Sequence, residues 1–258
     1  MPKSLRSLDD HVQDTLDSRR RTQSGRFQPV APEIERVTDV VTSSCAAVAE
    51  AFAPDGFRWS KSGLRFSRKV GTFTHIVSFQ SDAANSSGSH VAVSIHAQAK
   101  STELAKWRET NGVTTGDNLW ITQIGYLSPT HEYLKWQLVD PVTRQSEVAS
   151  MVKTVSELAV PAFSICSTKE DLSAQLLQRR EMTWIPDWAV DVALWVGNKA
   201  AAEVLINNYL ASRSDLTAGF IGYTQLETRS PSESRPTDRL HCLAWVARKH
   251  GLKAPSAA

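Results

Sequence analysis

TFTHIVSFQSDAANSSGSHVAVSIHAQA, residues 72–99, carries two runs of alternating residues around a loop of small polar ones. In the first run Phe73, His75, Val77 and Phe79 share one parity, and Thr74, Ile76, Ser78 and Gln80 share the other. In the second, Val91, Val93, Ile95 and Ala97 alternate with His90, Ala92, Ser94, His96 and Gln98. A period of two marks a half-buried strand, because successive side chains point to opposite faces. The Ser/Asp/Asn/Gly loop between the runs favours chain reversal, so the stretch predicts two antiparallel strands.

The same period extends upstream through FRWS (57–60) and LRFSRKV (64–70), parted by Lys61-Ser62-Gly63 and by Gly71. Such short connections predict a meander of hairpins. Downstream, LWITQIGYL (119–127) and EYLKWQLVD (132–140) read as two more strands, after a Ser/Thr-capped helix in STELAKWRET. Helical spacing governs the flanks. Ile34, Val37, Val41, Cys45, Val48 and Phe52 recur at steps of three and four, opened by Pro32 with Glu33 and Glu35 and closed by Pro54-Asp55-Gly56. Beyond Asp140-Pro141, Val148, Met151, Val152, Val155, Leu158 and Ala159 form one stripe. A capping signature follows at Ser167-Thr168-Lys169-Glu170, Gly197 and Asn198 punctuate two further helices, and Thr237 caps a last helix ended by Gly251. The order predicts an α+β fold: a curved antiparallel sheet of about five to six strands backed by helices, followed by a C-terminal helical region. The expected divisions are a polar N-terminal arm (1–31) with a helix over Ser7–Arg20, an α+β domain (32–165) and a helical region packed on it (166–258). SPSESRP (230–236) is expected to be a mobile loop.

With 258 residues, 41% hydrophobic and 22% charged, the chain can bury a substantial core. A net charge of +2 exerts no global pull toward nucleic acid or membrane. The eight tryptophans are scattered and read as core anchors. Cys45, Cys166 and Cys242 lie far apart with no C-x-x-C pair, which excludes a zinc ribbon and a disulfide framework and predicts a cytoplasmic location. No apolar leader and no membrane-length apolar run is read from the sequence.

Parity divides the histidines. His75 falls on the core side, whereas His90 and His96 point to the opposite face, so His75 and His96 cannot share a metal. Six strand residues separate His90 from His96 by about 20 Å, too far for two ligands of one zinc ion. The other face is polar and basic. Its expected partner-binding residues are Arg58, Lys61, Arg65, Lys69, Thr74, Ser78, Gln80, Ser94, His96 and Gln98, with Arg68 extending the charge and no acid between 56 and 81. No metal site, catalytic residue or cofactor is expected. The chain has no G-x-S-x-G, H-E-x-x-H, P-loop or dinucleotide motif, and His241-Cys242 project about 100° apart on a helix, a poor dyad.

GFRWSKSGLRFSRKVGTFTHIVSFQSDAANSSGSHVAVSIHAQA resembles the bacterial DUF4304 family, catalogued as a domain of unknown function. The matching residues are Gly56, Phe57, Phe66, Phe73, Ile76, Phe79, Gln80, Val91 and Val93, within a likeness over roughly 34–165. The resemblance implies a curved antiparallel sheet backed by helices, with no catalytic residues to carry over. It also suggests an association with toxin or defence systems. The leading expectation is a non-catalytic module that binds another protein, such as a cognate toxin, in the manner of an immunity protein or antitoxin. A second is nucleic-acid binding through Arg58, Lys61, Arg65, Arg68 and Lys69 with Trp59 and Phe66 as stacking groups. A third is a hydrolase or nuclease using His96 with His131 or Glu132.

Overall fold

Alternating apolar side chains build one antiparallel sheet. Its strands are β1 (Arg58–Ser60), β2 (Arg65–Val70), β3 (Phe73–Ser81), β4 (Ala92–Ser101), β5 (Asn118–Gln123) and β6 (Trp136–Gln137). They run in the order β1-β2-β3-β4-β5, with β6 paired to β4. The long β3–β4 pair is the centre, registered from Phe73 opposite Ser101 to Ser81 opposite Val93. β5 takes residues 96–100 of β4 and β6 takes 92–93, so two short strands share one side of β4 end to end. The computed structural model describes residues 34–112, 114–179, 183, 186–225 and 238–253. The expected Ser7–Arg20 helix, the Thr237 cap, the 230–236 loop and Trp184 lie outside the described residues.

The architecture is α+β, as the order of periodicities predicts. Two expected strands are shorter than the sequence suggests. β5 ends at Gln123 in a tight helical turn, Ile124–Leu127, and of 132–140 only Trp136–Gln137 pair. Gln123 explains the change: its Nε2 donates to the Leu134 carbonyl at 2.8 Å and its Oε1 accepts from Gly125 N–H at 2.8 Å. The side chain thus replaces ladder bonds between the two segments. They fold so close that a Cβ on Gly125 would stand 2.0 Å from the Glu132 carbonyl oxygen.

Helices cover one side of the sheet. α1 (Val37–Ala51) buries Val40, Val41, Cys45 and Val48. It starts at Val37 instead of near Pro32, and Glu35 forms a two-bond ion pair with Arg144 at 3.0 and 2.6 Å instead of serving the helix N-terminus. α2 (Thr102–Thr110) follows β4 directly, its Ser101 cap accepting from Leu104 N–H. α3 (Pro141–Thr154), capped by Asp140, passes through a widened turn at Val155–Ala159 into α4 (Val160–Ser164). The wide turn falls where Pro161 has no N–H to continue the helical ladder. It delivers Phe163 beneath the sheet, stacked on Trp120 with centroids 5.6 Å apart.

α5 (Lys169–Gln175), α6 (Pro186–Trp195), α7 (Lys199–Ser212), α8 (Thr217–Gln225) and α9 (Arg239–His250) complete the described chain. Gly197 (φ 79) ends α6 and Asn198 caps α7. Asp238 caps α9 by accepting from His241 N–H at 2.9 Å. The core runs without interruption from the sheet into these helices: Trp195 meets Phe73 edge-on at 5.9 Å. Beside it, Arg108 on α2 and Asp191 on α6 form an ion pair at 3.3 Å with both side chains 0% exposed. Arg108 donates to the carbonyls of Gly116 and Asn118 at 3.1 and 2.6 Å. Asp191 accepts from the Thr114 amide and hydroxyl at 2.9 and 2.5 Å. Desolvation lowers the Arg108 pKa, and Asp191 opposes that shift. Lys249 and His250, in the last turn of α9, reach the carbonyls of Thr110 and Asn111 at 2.5 and 3.0 Å, and the Lys249 cation suits that helix C-terminus.

Removing one member of a buried pair strands the other charge, so Asp191→Ala should destabilise the protein by about 3–5 kcal/mol. Urea unfolding monitored by tryptophan fluorescence should show this, and Arg108→Met combined with Asp191→Leu should recover at least half of the loss.

Candidate functional site

The strand register sorts every candidate residue onto a face. Arg65, Ser78, His96 and Gln123 lie in one row across β2 to β5. Ser67, Ile76, Gln98 and Ile121 form the next row, and Lys69, Thr74, Lys100 and Asn118 a third. Arg58 lies opposite Ser67, and Gln80 opposite Ser94. Arg58, Arg65, Lys69, Thr74, Ser78, Gln80, Ser94, His96 and Gln98 therefore share the side away from the core.

The covered side takes the rest. His75 is buried and lies flat on Phe163 at 4.7 Å. Its Nδ1 accepts from Arg68 Nε at 3.3 Å while Nε2 faces the Cys166 carbonyl at 3.1 Å, which assigns the proton to Nε2. Arg68 does not extend the open basic face: it lies opposite His75, donates to the Asp55 carbonyl at 3.2 Å and stands over the Phe57 ring. Phe66 is 0% exposed among Phe52, Phe57 and Phe79, and Trp59 packs on Phe79. Phe66 thus cannot stack on a nucleobase. Lys61 sits in the β1–β2 turn and lines a groove with Val37, Val41 and Leu64, next to α1. His90 lies in the loop before β4.

The segment after β5 shelters part of the open face. Tyr133 donates to the Ser94 hydroxyl at 3.1 Å, leaving Ser94 3% exposed. Lys135 pairs with Asp82 at 2.5 Å, Lys100 with Asp117 at 3.1 Å, and Gln98 donates to Asn118. Arg58, Arg65 and Lys69 form no ion pair among the described residues. Nor does a hydrogen bond from a described residue reach the His96 ring, whose pKa is lowered by partial desolvation. At the far side of the face, Ile121, Tyr126 and Tyr133 are 45%, 41% and 47% exposed, with the two tyrosines edge-to-face at 6.2 Å. Sequence parity does not reveal these three: Leu119 and Trp120 are both buried, so β5 breaks alternation, and the tyrosines sit outside the regular strands.

Chemistry is sparse on this face. His131 (φ 52) is tied through Nδ1 to the Tyr126 carbonyl at 2.8 Å, and no described hydrogen bond links it or Glu132 to His96. Among the described residues no group of His, Cys, Asp or Glu is placed to hold a metal ion. All three cysteines are buried thiols, and desolvation pushes Cys45 up to about 12. No single described helix is long and apolar enough to cross a membrane.

The geometry defines an α+β protein whose sheet leaves one face open, with cations on it. The chain matches no protein-family model, no curated protein and no solved structure. Phe57, Phe66, Phe73, Ile76, Phe79, Val91 and Val93 are buried, and Gly56 takes φ 83, so these residues are chiefly structural.

Burial lowers the His75 imidazole from 6.5 to about 4, with the Cys166 bond opposing and the Arg68 charge adding to the shift. The neutral ring's contribution is fully present above pH 6.5 and is lost as pH falls from 6.5 toward about 4. Between about pH 7.5 and pH 5 the wild type should lose about 2 kcal/mol more unfolding free energy than His75→Gln, measured by urea titration at each pH.

Proposed function

We propose that the protein is a non-catalytic protein-binding module that docks its partner on the open sheet face, in the manner of an immunity protein or antitoxin. The observation that supports this most strongly is the unpaired set Arg58, Arg65 and Lys69. Several cations elsewhere are matched, as in Arg144 with Glu35, Lys169 with Glu103 and Arg239 with Asp187. The same face carries Arg58, Arg65 and Lys69 on β1 and β2 and exposed Ile121 on β5, a mix of charge and apolar area that suits a protein interface.

Affinity capture with the intact protein tests the reading. Arg65→Glu combined with Lys69→Glu should abolish recovery of a stoichiometric partner, while Lys153→Glu on α3 should retain it. Equal recovery by both variants, or no partner with the wild type, overturns the proposal.

A further inference from the structure

The open face has a direction. Arg58, Arg65 and Lys69 stand on β1 and β2, Thr74 and Ser78 on β3, His96 and Gln98 on β4, and Ile121 on β5. Adjacent strands are about 4.8 Å apart, so the cations of β2 and the apolar group on β5 are separated by about 14 Å. The strip between them offers hydroxyl, amide and imidazole groups. Thr74, Ser78 and His96 are not engaged by any described hydrogen bond.

We propose that this face takes an acidic polypeptide segment, its carboxylates against Arg58, Arg65 and Lys69 and one apolar side chain against Ile121. The proposal rests on the docking role argued above and names the partner's chemistry. Charge complementarity selects the acids, since an arriving carboxylate meets cations that have no competing acid among the described residues. Desolvating Ile121, 45% exposed, adds an apolar contribution that carboxylates alone do not supply. The middle strip hydrogen-bonds main-chain groups of whatever crosses it. A peptide spans the distance readily, because four or five extended residues cover about 14 Å.

Single-stranded nucleic acid fits the same face less well. A nucleotide carries its phosphate and base together, so stacking rings must adjoin the cations. Here Phe66, the ring nearest the cations in sequence, is sealed in the core, and Trp59 is turned to the same side. Among the described residues no ring contact joins either exposed tyrosine to Arg58, Arg65 or Lys69: Tyr133 bonds Ser94 on β4 and lies by Lys135, and Tyr126 packs on Tyr133. Their mutual contact and the Tyr133–Ser94 bond further restrict them.

The test uses fluorescence anisotropy at low ionic strength with three labelled probes: a Glu-rich peptide containing one Leu, the same peptide with Ala for Leu, and oligothymidine. The Leu peptide should bind, weaken roughly tenfold with Arg65→Glu plus Lys69→Glu, and weaken as salt is added. It should also bind several-fold better than the Ala peptide, and Ile121→Asn should remove that advantage. If neither peptide binds while affinity capture still depends on Arg65 and Lys69, the acidic-segment proposal fails and the docking face stands. Tighter, variant-sensitive binding of oligothymidine overturns both.

Discussion

Arg108 and Asp191 are the contact on which the union of sheet and C-terminal helices depends. Two fully buried charges face each other at 3.3 Å, one just after β4 and the other in α6. Neither has solvent to fall back on, so each must be satisfied by protein. The Arg108 guanidinium spans toward the carbonyls of Gly116 and Asn118, and Asp191 gathers both polar groups of Thr114. The pair therefore fixes the chain entering β5 as well as the two helices. Gly112 belongs to the same constraint, because a Cβ there would lie 2.8 Å from Asp191 Oδ2.

That anchoring gives the sheet unequal faces. The helices packed on one side bury Phe66, Phe73, Val77, Phe79 and Ile95, and no described helix is needed to satisfy the other. Antiparallel sheets tolerate this arrangement, since hydrogen bonds run within the sheet and a polar face can stay wet. His75 shows how strictly the division is enforced. An imidazole on the apolar side survives only as a neutral ring, clamped between Phe163, Arg68 and the Cys166 carbonyl.

Period-two alternation made the sheet and its two faces legible before any coordinates, because a pleated strand leaves no choice about where neighbouring side chains point. Thr74, Ser78, His96 and Gln98 fall where parity puts them. Parity also places Arg68 opposite His75, yet a charged residue in a basic run invites the open face; its contacts with Asp55 and Phe57 become visible only when the β1–β2 edge is folded. Ser94 is on the expected face and still buried, because Tyr133 arrives from 39 residues away. The strand pattern in 132–140 failed for a related reason. Leu134, Trp136 and Leu138 do alternate toward the core, but Gln123 takes the Leu134 carbonyl that a ladder would have used. Alternation reports which side chains are inward; it does not report which backbone groups find a strand partner.

The cations on the open face are distributed unequally between edge and interior. Edge strands commonly carry Lys or Arg to discourage pairing with another chain, and Arg58 on the three-residue β1 suits that role. Arg65 does not, because there β2 is paired on both sides, to Ser60 of β1 and to Ser78 of β3, whereas Lys69 lies beyond the β1 pairing and shares the edge position. Nor do they reflect a generally basic protein, given a net charge of +2 over 258 residues. Like charges gathered on one sheet face repel each other, and the nearest acids on that face, Asp82 and Asp117, are already held by Lys135 and Lys100. Neither edge protection, net charge nor internal pairing accounts for Arg65, and a partner that supplied carboxylates, as proposed above, would engage it together with Lys69.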